Sequence, residues 1–127
     1  MSGDSCNCNS SPRLIFACSG AADVGEIADR AARVLHAEGS GKLYCLAGIG
    51  AGLGTFLENT KSAGGVVAID GCGVDCAKKL LEKSGIANFS SVRVTDLGME
   101  KGKTPASKDV VELVAARARD LIKGVCT

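Results

Sequence analysis

The feature that most constrains this chain is an alternation repeated four times: a short apolar run, a turn of small residues, then an amphipathic stretch. Arg13-Leu14-Ile15-Phe16-Ala17-Cys18 reads as a buried strand closing on Ser19-Gly20. Ile27, Ala31, Val34 and Leu35 then share one helical stripe, which Gly39 ends; Asp23 is placed to cap that helix, with Glu26 three residues on in the manner of a capping box. Residues 42–46 read as a second strand, the glycine-rich 48–54 as its turn and 55–62 as a helix. Residues 66–70 form the third strand of this reading, Gly71 its turn, and 74–83 an amphipathic helix stopped by Gly85. Residues 91–96 supply a fourth strand and 108–123 a last helix. Strands alternating with helices predict a mainly parallel four-stranded sheet covered on both faces, a three-layer α/β/α sandwich. The strand order expected for such a sheet is 2-1-3-4.

At 127 residues the chain has room for one domain, expected over 13–127 behind a flexible, Ser/Asn-rich tail at 1–12. Its aromatic residues are Phe16, Tyr44, Phe56 and Phe89, with no Trp, so Ala, Val, Ile and Leu must build the core. So few stacking platforms, a net charge of +1 and scattered Lys and Arg argue against nucleic acid as a partner. A start without a basic-then-apolar leader, and the lack of a membrane-length apolar run, predict no membrane association and a place in the reducing cytoplasm.

Seven cysteines in that compartment point to metal or redox chemistry rather than a disulfide framework. Cys18 ends the first strand, Cys45 lies near the end of the second, and Cys72 follows the third; Cys76, four residues later, shares a helical face with Cys72. The carboxyl edge of an open parallel sheet is where ligands bind, and these four cysteines converge there. Four thiolates suit tetrahedral Zn²⁺; the same donors would also suit an iron–sulfur cluster. Other motifs fail. Leu53 or Thr55 stands where a dinucleotide fingerprint needs its third glycine, His36 where a P-loop needs its first, and Lys79 where a radical-type cluster motif needs cysteine. Cys72 and Cys76 are one residue too far apart for a C-x-x-C pair. His36, the only histidine, lies near the far end of the first helix, remote from Cys18. Asp70 and Asp75 flank the cysteines as turn or cap residues, or as a base.

Asp70-Gly71-Cys72, followed by Gly-Val-Asp-Cys76-Ala-Lys-Lys-Leu-Leu-Glu82, resembles the signature of the DGC-domain family of prokaryotic proteins. Cys18-Ser19-Gly20 with Val24-Gly25 is similar to that family's first loop, Cys45-Leu-Ala-Gly48-Ile-Gly50 to its second, and Val94-Thr-Asp-Leu-Gly98-Met-Glu-Lys101 to the loop after its fourth strand. The resemblance spans about residues 13–123 and implies a zinc site at Cys18, Cys45, Cys72 and Cys76, without an established reaction. The expected function is therefore zinc binding, in metal sensing, handling or delivery. The competing expectation is a thiol redox or sulfur-transfer enzyme using Cys72 and Cys76 as attacking and resolving thiols. Cys6 and Cys8 in the tail are expected to be auxiliary thiols that exchange onto the metal, and Cys126 an incidental one.

Overall fold

The computed structural model describes residues 12–124. Four strands, β1 (Arg13–Ala17), β2 (Lys42–Leu43), β3 (Gly65–Asp70) and β4 (Ser90–Arg93), form one parallel sheet in the order β2-β1-β3-β4. This is the 2-1-3-4 order expected from the sequence. The central pair is the longest: Arg13 to Ala17 of β1 run in register with Gly65 to Ile69 of β3. By contrast, β2 meets β1 only at Leu14↔Lys42 and Ile15↔Leu43.

Alternation along the central strands divides the core in two. Ile15, Ala17, Val67 and Ile69 face α1 (Asp23–Ala37) and α5 (Lys108–Gly124). Leu14, Phe16, Val66 and Ala68 face the opposite layer, α2 (Leu46–Gly50), α3 (Gly54–Lys61) and α4 (Cys76–Lys83). On α1 the buried stripe is Val24, Ile27, Ala28, Ala31, Ala32 and Leu35, a helical repeat that lays the helix flat on the sheet. Arg119 on α5 closes the outer layer by gripping Glu38, just beyond α1, at 2.6 and 2.9 Å. None of the described helices is long and apolar enough to cross a membrane.

Three local expectations are corrected. The second strand stops at Leu43 instead of reaching residue 46, and the glycine run does not form one open turn, because residues 46–50 wind into α2. Gly48 is there for space: a Cβ on it would lie 2.8–2.9 Å from the Phe56 ring. The fourth strand likewise stops at Arg93, and Val94–Leu97 turn into a 3-10 helix ended by Gly98 at φ +95°. Finally, Ala22 occupies the N-cap of α1 and no side chain caps it. The Asp23 carboxylate instead accepts the N–H groups of Gly102 and Thr104, tying the helix start to a loop some eighty residues away. His36 ends α1 with its Nδ1 accepting the Leu43 N–H at 3.0 Å.

Candidate functional site

The site grows from the end of β3. Asp70 is 1% exposed, and its carboxylate accepts the N–H groups of Ala77 at 2.7 Å and Lys78 at 3.0 Å, the donors left open by the first turn of α4. Of its two sequence readings, cap residue is the one the structure shows. Burial pushes the Asp70 carboxyl above its ordinary range, only partly opposed by those two N–H donors.

Gly71 comes next, and nothing larger fits. A Cβ would stand 2.8 Å from the Val24 carbonyl carbon and 2.9 Å from the Gly25 nitrogen, both backbone atoms that cannot turn aside. That close approach brings the start of α1 against the end of β3. The Gly71 N–H donates to the Cys18 sulfur at 3.0 Å, and the Gly71 carbonyl accepts the N–H of Thr95.

Cys72 then opens a tight loop, its carbonyl accepting the Asp75 N–H at 3.1 Å. Asp75 has φ +56°, the only non-glycine residue with positive φ among the described residues, and from there the chain enters α4 at Cys76. Arg93, at the end of β4, pins the loop through a two-point pair with Asp75 at 3.0 and 2.6 Å and reaches Asp96 at 3.3 Å. Hydrogen bonding to Arg93 holds the Asp75 carboxyl below its usual range and raises the guanidinium further still. Lys101 places its ammonium 3.8 Å from the Cys72 sulfur.

Of the four expected ligands, Cys18 and Cys72 are partly buried and pack against the α1/α5 core, whereas Cys76 and Cys45 are exposed. Burial pushes the Cys18 thiol up to about 11 against the pull of the Gly71 N–H, and the charges on Asp70, Cys76 and Cys72 raise it further. Cys18 and Cys72 thus meet at one edge through Gly71, and Cys76 follows at the start of α4. Cys45 sits apart, at the N-cap of α2 in the lining of a cavity between β1, β2 and α1. The expectation that Cys45 lies near the end of a strand over residues 42–46 is corrected, because β2 ends two residues before it, at Leu43.

As a donor set, four thiols fit a soft, sulfur-preferring ion. As placed, they stand apart: among the described residues no three His, Cys, Asp or Glu side chains are close enough together to hold a metal ion. Cys6, Cys8 and Cys126 lie outside the described residues. Pro12, where the description begins, is at the amino edge of the sheet, opposite the thiols, with its carbonyl accepting the Gly64 N–H.

Sequence reasoning did not single out Arg93 or the steric demand on Gly71. A lone cation between Val92 and Val94 is a weak signal, and a backbone clash across 46 residues of chain leaves none.

No solved structure matches this chain. It is 26% identical over 113 residues to the anaerobic and virulence modulator AnvM of Pseudomonas aeruginosa, covering 87% of this chain and 86% of that protein. The model of the DGC domain matches residues 14–118, from the second residue of β1 through the other three strands and the Asp70-Gly71-Cys72 turn into α5. On that match the chain belongs to the DGC-domain family.

Proposed function

We propose that the thiol-bearing edge is a binding site for Zn²⁺ that draws on Cys18, Cys72 and Cys76, with Cys45 as the fourth donor, and that it serves metal sensing, handling or delivery in the cytoplasm. What supports this reading is the placing of Cys18 and Cys72 on either side of Gly71, whose N–H donates to the Cys18 sulfur, with Cys76 opening α4 four residues on. Bound zinc would favour the thiolate forms and give up none of the packed core, because Cys18 and Cys72 lie at the rim of the α1/α5 cluster and Cys45 and Cys76 are exposed. A zinc ion with four thiolates carries a charge of about −2, which the Lys101 ammonium beside Cys72 offsets in part. The Asp75–Arg93 pair holds the loop between Cys72 and Cys76 in one conformation. Exposure of Cys45 and Cys76 supports an exchangeable ion rather than one locked in for folding. The name of the Pseudomonas relative, a modulator, agrees with sensing or handling.

Cobalt substitution tests this directly. Reduced protein loaded with Co²⁺ should show intense thiolate charge-transfer absorption, lost in Cys72→Ser. A protein that is brown as purified anaerobically would assign the thiols to an iron–sulfur cluster instead.

One observation favours the thiol-redox reading: the Lys101 ammonium beside Cys72, which a tight loop separates from Cys76 at the start of α4, rather than the shared helical face that the sequence suggested. That reading predicts a Cys72–Cys76 disulfide on mild oxidation of metal-free protein, formed more slowly in Lys101→Gln.

A further inference from the structure

The cavity beside Cys45 is not used by the Asp70–Cys76 end of the site. It measures about 520 Å³, the size of a small-ligand site, and its walls include Ser19, Asp29, Arg33, Tyr44, Cys45 and Leu80. Three of these form a chain: the Ser19 hydroxyl donates to Asp29 Oδ1 at 2.9 Å, and Arg33 Nε donates to Asp29 Oδ2 at 2.8 Å. Asp29 thereby fixes the plane of the Arg33 guanidinium by its Nε, while the Arg33 side chain stays 68% exposed. Burial works against the Asp29 charge, but the Arg33 and Ser19 hydrogen bonds outweigh it and hold the carboxyl below its ordinary range. Tyr44 and Leu80 give the pocket an apolar flank, and Cys45 presents an exposed thiol in the same lining.

We propose that this cavity is a binding site for a small carboxylate-bearing thiol or its disulfide, with the carboxylate paired to Arg33 and the ligand sulfur lying against Cys45. A planar guanidinium oriented by a buttressed carboxylate matches a carboxylate in two-point fashion, and an exposed thiol is the natural partner of a second sulfur. With a disulfide ligand the step is an exchange: the Cys45 thiolate attacks one sulfur, a mixed disulfide forms, the ligand's S–S bond breaks, and the departing thiolate takes up the proton that Cys45 released. The ligand disulfide is the oxidant. The proposal gives Cys45 a partner besides the metal, and it stands or falls independently of zinc.

Glutathione disulfide and the uncharged bis(2-hydroxyethyl) disulfide are the probes, applied to full-length, chelator-treated protein, with adducts read per cysteine by peptide mass spectrometry. Cys76, exposed but outside this cavity, is the internal reference. Cys45 should favour the carboxylated disulfide over the neutral one by about five-fold relative to Cys76, the size of an exposed charge pair. Arg33→Gln should abolish that preference, and Arg33→Lys should keep part of it. Arg33 is a surface residue, so neither variant threatens the fold, and zinc content measured on untreated samples should be unchanged in both. Equal selectivity at Cys45 and Cys76, or selectivity that survives Arg33→Gln, overturns the proposal whatever the zinc content proves to be.

Discussion

The two halves of the thiol edge are built to different tolerances. Cys18 and Cys72 issue from the longest paired strands of the sheet, are partly buried, and are bridged through Gly71 by a 3.0 Å hydrogen bond and an approach too close for any side chain. Cys45 follows a two-residue strand and caps a five-residue helix, with its thiol exposed. The inner half is positioned by packing that the whole domain depends on. The outer half hangs from a short, glycine-punctuated segment held to the core by Ile49 and by the close approach of Gly48 to Phe56. On the zinc reading proposed above, partly buried donors beside an exposed one suit an ion that is taken up and released again.

Substituting the glycines should expose this difference most sharply. Gly71→Ala drives a methyl into the backbone of Val24 and Gly25 and should cost about 3 kcal/mol in denaturant unfolding, together with the bound metal. Gly52→Ala in the outer half meets nothing within 4 Å; its strain comes only from φ +72°, and it should cost about 1 kcal/mol. Equal costs would erase the distinction between the two halves.

Alkali should act through the inner half. Cys18 rises from 9.0 to about 11 in the folded protein, so the folded thiol keeps its proton while the unfolded one ionises. Stability is then level below about pH 9 and falls as pH rises toward 11, by about 1–3 kcal/mol for metal-free protein. Urea titrations at pH 8 and pH 10.5 should show the fall in wild type and a smaller one in Cys18→Ala.

Arg93→Ala should free the Cys72–Cys76 loop. We expect a small loss of stability, and metal affinity lowered by about ten-fold, since the pair orients the proposed ligands without being one. Arg93 is the main cause that holds the Asp75 carboxyl below its ordinary range, so its contribution is present at neutral pH and lost on acidification. The acid limb of the stability profile should therefore flatten in the variant. The smallest effect expected is on the fold itself: without metal, Cys45→Ser should shift Tm by no more than about 1 °C, whereas Cys18→Ser, which alters a partly buried packed group, should shift it by several degrees.

Much of this architecture was legible because it rests on local pattern. The period of apolar runs and glycine stops gave four parallel strands, their order followed from the fold class, and of the four cysteines expected at one edge Cys18 and Cys72 meet through Gly71 while Cys45 sits apart. What failed were runs whose apolar character suits two structures equally. Leu46-Ala47-Gly48-Ile49-Gly50 winds into a helix because Gly48 lets the Phe56 ring approach, and Val94 leaves the sheet because the chain turns to place the Thr95 N–H on the Gly71 carbonyl. Asp23 escaped a local reading for the same reason, since its partners Gly102 and Thr104 are joined to it only by the fold.

Zinc stoichiometry tests the central claim most directly. Elemental analysis of reduced, anaerobically purified full-length protein should find about one zinc per chain. The same measurement should find almost none in Cys72→Ser or Cys76→Ser, and an unchanged content in Cys126→Ser. Zinc-free wild-type protein that takes up no zinc on dialysis, or equal zinc in all three variants, would contradict the assignment of this edge as a thiolate metal site.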